Sequence, residues 1–166
     1  MFLKSFAAIG AALAFAGCAS MSKTPATPPD QAMSHHGPHI VTVKSNVDFA
    51  TTLAALQNAV DKRGFKTFAV IDHAGGAASI GATLRPTTLV IFGNPKGGAA
   101  LMQAEQRMGL ALPLKMLVAE DQSGATQIIY PDMAHVFHEY GIADMTGPLE
   151  KIDGALGAIA NEAGAE

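Results

Sequence analysis

The sequence predicts an α+β fold: a single domain whose mostly antiparallel sheet is covered by helices on one face. Two observations predict it. Segments of strand and helix character alternate in the order β-α-β-β-α-β-β-α-α, with several strand pairs joined by short breaks rather than by crossover helices. The composition, 166 residues that are 49% hydrophobic and 15% charged, suits one domain with a real core.

Ahead of the domain, residues 1–17 read as a signal peptide. Lys4 supplies a short positive start, and Phe6 to Ala16 form an uncharged, Ala-rich stretch too short to span a membrane. The stretch ends in Phe15-Ala16-Gly17-Cys18, which resembles a bacterial lipobox, with Phe in place of the usual Leu. Cys18 is the sole cysteine, so no intrachain disulfide can form, and lipidation accounts for it. Several acyl chains on one cysteine anchor stably, since each buried methylene contributes about 0.8 kcal/mol. The expected protein is an envelope lipoprotein held through palmitate-like chains. Ala19 and Ser20 after the cysteine point to the outer membrane, facing the periplasm. Residues 18–38, rich in Ser, Thr and Pro, read as a tether. Residues 39–163 are the expected domain.

Ile40 to Lys44 is β-branched and reads as the first strand. Ser45-Asn46-Val47-Asp48 then suits a helix start, and Phe49, Leu53, Leu56 and Val60 make one apolar stripe at helical spacing, closed by Gly64. Thr67 to Ile71 is the second strand. The Gly/Ala stretch 74–81 after it has neither the Lys-Ser/Thr pair of a phosphate loop nor dinucleotide-loop spacing, so no nucleotide cofactor is implied. It suits a short helix packed close to the sheet. Thr87 to Phe92 is strongly apolar and reads as a central strand. Gly93 to Gly98 reads as a turn, and Ala99 to Met108 as a helix with Leu101, Met102 and Met108 inward. Leu114 to Ala119 and Thr126 to Tyr130 are strands joined by a hairpin at 121–124, and Pro131 stops the second. A short helix from Met133 to Tyr140 closes at Gly141. A last helix is capped by Thr146, with Pro148 in its first turn and Leu149, Ile152, Leu156 and Ile159 on its buried face.

The net charge of −3 becomes −4 once Lys4 is removed with residues 1–17. Basic residues are scattered singly apart from Lys62-Arg63, a poor footprint for nucleic acid. His35, His36, His39 and Met33 in and beside the tether could bind Cu or Zn, since imidazole suits both metals and thioether suits Cu(I). A solvated polar linker is the plainer account, since nothing in the stretch fixes the geometry that a tight site needs. His135 and His138 share a helix face, but Glu139 is expected to face elsewhere and no third ligand is placed.

Asp72-His73-Ala74, Leu84-Arg85-Pro86-Thr87, Phe92-Gly93-Asn94-Pro95-Lys96, Leu101-Met102-Gln103-Ala104 and Leu112-Pro113-Leu114-Lys115, with Tyr130 after the hairpin, resemble the domain-of-unknown-function 302 family. Ala111 stands where that family often has an acid. The resemblance spans about Ile40 to Ala160. It implies a fold of the TATA-binding-protein class, β-α-β(4)-α in outline, and a homodimer. It brings no established activity.

His73, Arg85, Asn94, Lys96, Lys115 and Tyr130 lie at strand ends or in adjoining turns. If they converge, they offer cationic and hydrogen-bonding groups for a small anionic ligand. The plainer account is local: turn residues satisfy nearby backbone groups. No Gly-x-Ser-x-Gly elbow is present. Three functions remain open: a non-enzymatic module binding a small anion or a protein partner, a periplasmic Cu/Zn-binding or metal-stress protein, and a hydrolase-like enzyme using His73.

Overall fold

The structure, a computed structural model, describes residues 39–165. Cys18, His35 and His36 lie outside the described residues, together with the rest of the expected leader and tether.

Strand β1 (Ile40–Lys44) leads into helix α1 (Phe49–Lys62), whose start is set by Asp48: its carboxylate accepts from the Thr51 amide. Thr52, Ala55, Leu56, Ala59 and Val60 are buried, and Phe49 and Leu53 pack against the same core. The expected stripe is therefore the packed face. Gly64 ends the helix at φ 71°, a conformation glycine adopts without steric cost. Strand β2 (Lys66–Asp72) runs one residue further at each end than predicted, and Asp72 caps the short helix α2 (His73–Ala78) by accepting from the Gly75 amide at 2.8 Å. No residue of α2 is buried.

Strand β3 (Thr87–Gly93) follows, then helix α3 (Pro95–Ala104). Here the expected turn at 93–98 is wrong. The same residues that read as breakers start a helix: Asn94 accepts from the Lys96 amide at 3.0 Å, and Pro95 occupies the first turn, where its missing N–H costs nothing. The expected helix to Met108 stops early. Glu105 turns extended, and a 3-10 helix takes over at Gln106–Leu110. Leu101 and Met108 are buried as expected, but Met102 remains 38% exposed.

Strands β4 (Leu114–Glu120) and β5 (Thr126–Pro131) form the hairpin, with Gly124 at φ 83° and the Asp121 carboxylate accepting from the Ser123 and Ala125 amides. Pro131 is the last strand residue and pairs with Ile40. Helices α4 (Met133–Glu139) and α5 (Thr146–Ala165) close the chain. Thr146 is the first residue of α5, with Pro148 in the first turn as expected.

The sheet order is β1-β5-β4-β3-β2, and every neighbouring pair is antiparallel. β3 is an interior strand beside the central β4. The period-2 alternation puts Val90, Phe92, Leu114, Met116, Val118, Ile128 and Tyr130 on the face that packs against α1 and α5. Leu89, Ile91, Leu117, Ala119 and Ile129 point to the opposite face, which no helix covers among the described residues. The fold is thus α+β, β-α-β(4)-α in outline, with α2, α3 and α4 inserted between strands and before the last helix.

Candidate functional site

Antiparallel pairing decides which of the six sequence-selected residues can meet. Residues that follow β2 or precede β3 share one end of the sheet. Residues that follow β3 or precede β4 share the other. His73 and Arg85 therefore sit at one end. Asn94, Lys96, Lys115 and Tyr130 sit at the other, about 20 Å away along strands of six or seven residues. The expected convergence of all six does not form. His73 is exposed, far from Lys96 and Tyr130. Arg85 donates through Nε to the Glu120 carbonyl at 3.0 Å, and so secures the β3–β4 end.

The second group divides again by face. Lys115 alternates with buried Leu114 and Met116 and so points to the uncovered face. Tyr130 points into the core and is 8% exposed. Burial, followed by the charge of Asp153, pushes its phenol up from the ordinary value. Asn94 spends its side-chain oxygen on the α3 cap.

His39 stacks on His135 with ring centroids 3.4 Å apart. His135 Nε2 lies 3.0 Å from Glu139 Oε1. The expectation that Glu139 faces elsewhere is thereby corrected: at i+4 it shares the His135 face. Among the described residues no group of three or more His, Cys, Asp or Glu is arranged to hold a metal.

The end of the sheet that carries Asn94 opens instead into an apolar cavity of about 640 Å³. Its floor is Phe65, Leu101 and Leu114, and its walls include Leu112, Pro113 and Ile152. Phe68, Met102 and Pro148 stand at the rim, the first two 46% and 38% exposed. Gly97 and Gly98 of α3 and Gly109 of the 3-10 helix keep this wall thin. Lys151, on α5, is the one charged residue of the lining, and it forms no ion pair with a described residue. Lys66 and Lys96 flank lining residues Phe65 and Pro95 in sequence, and the Lys66 ammonium lies 5.8 Å over the Phe68 ring. The arrangement can hold an apolar body and attract a negative charge at its mouth.

Sequence reasoning placed Asn94 beside this site but missed Lys151, Phe68 and Met102 as a group. Lys151 reads as an ordinary solvated lysine on an amphipathic helix. Phe68 reads as a strand residue. No local spacing ties residues 65–68, 93–114 and 148–152 together.

The topology and the packed face define a small open-sheet α+β domain. The chain belongs to the family described as domain of unknown function DUF302, whose model matches residues 41–159. The crystal structure of an uncharacterized conserved DUF302 protein from Bacillus stearothermophilus superposes with a TM-score of 0.69 at 18% identity. The match covers 76% of this chain and 99% of that one, and it carries the fold alone. Two curated proteins named fluoride-specific ion channel FluC 1 are also similar. Those of Brucella suis and Brucella abortus are each 36% identical over 103 residues, which is 62% of this chain. The match covers 41% and 38% of their respective lengths. Among the described residues, no helix is long and apolar enough to cross a membrane.

Proposed function

We propose that this DUF302 protein is a lipid-anchored envelope protein whose domain is a non-enzymatic binding module, and that it takes a small anion at the cavity beside Lys151. One observation carries the reading: a preformed apolar cavity whose lining, among the described residues, holds a single charged side chain, Lys151, with no ion pair among those residues. The exposed position of His73, remote from Tyr130 and Lys96, weighs against the hydrolase alternative. The anchor is Cys18, with the domain held by the tether on the periplasmic side of the outer membrane.

Two measurements test this reading. Fractionation of Cys18→Ser should find the protein released from the membrane or retained as uncleaved precursor; a variant that fractionates and migrates like wild type removes the anchor. A thermal-shift screen of carboxylates and inorganic anions should raise Tm for at least one, less so in Lys151→Gln. A flat response across the panel removes the ligand.

A second reading is favoured by the FluC relatives. In it, the shared segment is a part of those chains that does not span the membrane, and this protein serves a membrane ion channel as a separate partner. Deleting the gene should then alter the fluoride concentration that arrests growth; unchanged tolerance excludes it.

The uncovered sheet face suits a second copy of this chain. Five strands at about 4.8 Å spacing and roughly 20 Å length give a footprint on the order of 500 Å² in projection. That is the right order for one side of a standard interface. Leu89, Ile91, Leu117 and Ile129 supply its apolar centre.

A further inference from the structure

We propose that the cavity houses the acyl tail of a single-chain amphiphile whose anionic head rests at Lys151. The proposal rests on the binding-module reading and names the ligand class.

A small anion at Lys151 leaves most of the site empty. It would occupy a fraction of about 640 Å³ and leave Phe68 and Met102 wet. Cavities of roughly 300–1,000 Å³ bury most of a drug-sized organic ligand, and apolar walls reward an apolar body. The polar provision is at one place. The Asn94 side-chain oxygen accepts from the Lys96 amide, its NH2 group keeps two donors, and Lys151 is the lining's one charged group among the described residues. Among the described residues no carboxylate lines the cavity, so an anion meets no like charge from them. The complementary molecule therefore has one long apolar part and one negative end.

The wall offers a way to block the tail without touching the head. A Cβ added at Gly98 would meet Leu112 Cδ1 at 3.9 Å and Met102 Cε at 4.0 Å, ordinary contacts with two lining side chains. A Leu side chain at that position would project into the space, and it replaces a poor helix former within α3.

The test is calorimetric titration of the full chain carrying Cys18→Ser, which avoids detergent. The probes are acetate, octanoate, decanoate and dodecanoate below their micellar concentrations, with dodecyltrimethylammonium as the cationic control. Affinity should rise about fourfold per added methylene, acetate should bind weakest, and the cationic control should bind at least tenfold more weakly than dodecanoate. Gly98→Leu should abolish the gain with chain length. Lys151→Glu, at an exposed position that does not threaten folding, should weaken dodecanoate at least fivefold and not weaken the cation. Equal affinity for acetate and dodecanoate would refute the tail while leaving the anion reading intact. Failure of every anion to bind would remove both. Wild-type chain-length dependence in a folded Gly98→Leu variant would also overturn the proposal.

Discussion

Single residues hold the helical layer in place at two points. Gly164, near the end of α5, lets the helix approach β1 closely: an added Cβ would stand 3.1 Å from the Lys44 carbonyl oxygen, and the Gly164 carbonyl accepts from the Asn46 amide at 2.9 Å. Gly164→Ala should cost about 1 kcal/mol despite better helix propensity, because backbone must yield; urea denaturation measures it. Glu162 clamps α5 to α1, with Lys62 Nζ at 2.8 Å and Arg63 Nη1 at 2.7 Å. Hydrogen bonds from Lys62 and then Arg63 hold its carboxyl below the usual carboxylate range. Bonds from the Arg107 side chain and amide likewise hold Glu105 at about 2. A carboxyl with a lowered folded-state pKa contributes fully above its unfolded value, about 4.3, and loses that contribution as the pH falls through the folded value. The domain should therefore lose Tm between about pH 4.3 and pH 2. Glu162→Gln should flatten that loss. A Tm–pH curve for the variant parallel to wild type would show that the clamp contributes nothing.

Helix α3 is the element that makes the site. Its start depends on Asn94 and Pro95, its thin wall on Gly97 and Gly98, and its early end on the extended Glu105. Glu105 then caps the 3-10 helix, which brings Met108 into the core and leaves Gly109 facing the cavity. Asn94→Ala removes the cap and should destabilise the domain by about 1 kcal/mol. It should also raise hydrogen-exchange rates in α3 before those in β3. Uniform protection across both would mean that α3 opens with the whole domain. The signals for this helix were legible in the sequence, since Asn followed by Pro is a good helix start. They are also turn signals, and Gly97-Gly98 tipped the reading toward a turn. What decided between them is packing: Leu101 and Met108 find partners in the core, which local propensity does not report.

At the scale of the domain as a whole, the sheet has two unlike faces among the described residues. One is covered by α1 and α5. The other carries half-buried apolar side chains that no helix covers among the described residues, the surface proposed above to meet a second copy. Leu117, near its middle, faces away from the core. Leu117→Lys should leave the monomer fold intact and shift the sedimentation coefficient from dimer to monomer. Sedimentation as a monomer already in the wild type would discard the dimer.

The strands, the α1 stripe, the hairpin and the α5 face were readable from sequence because each depends on periodicity and capping within a dozen residues. The family blocks from Asp72 to Lys115 were readable for a related reason, being short and local. The site was not. Its parts lie in three segments separated by 25 or more residues, and strand pairing together with the packing of α3 and α5 brings Phe65, Gly98 and Lys151 to one place. The same topology sends His73 and Arg85 to the other end, although their turns read like those of Asn94 and Lys96. By itself, the sequence determined the strands, α1, the hairpin and the inward faces of α1 and α5, but neither the bounds of α3 nor the exposure of Met102. Tertiary structure alone decided which strand ends are neighbours and where apolar surface was left unfilled, because distance across a sheet depends on strand order and direction rather than on any property of a single segment.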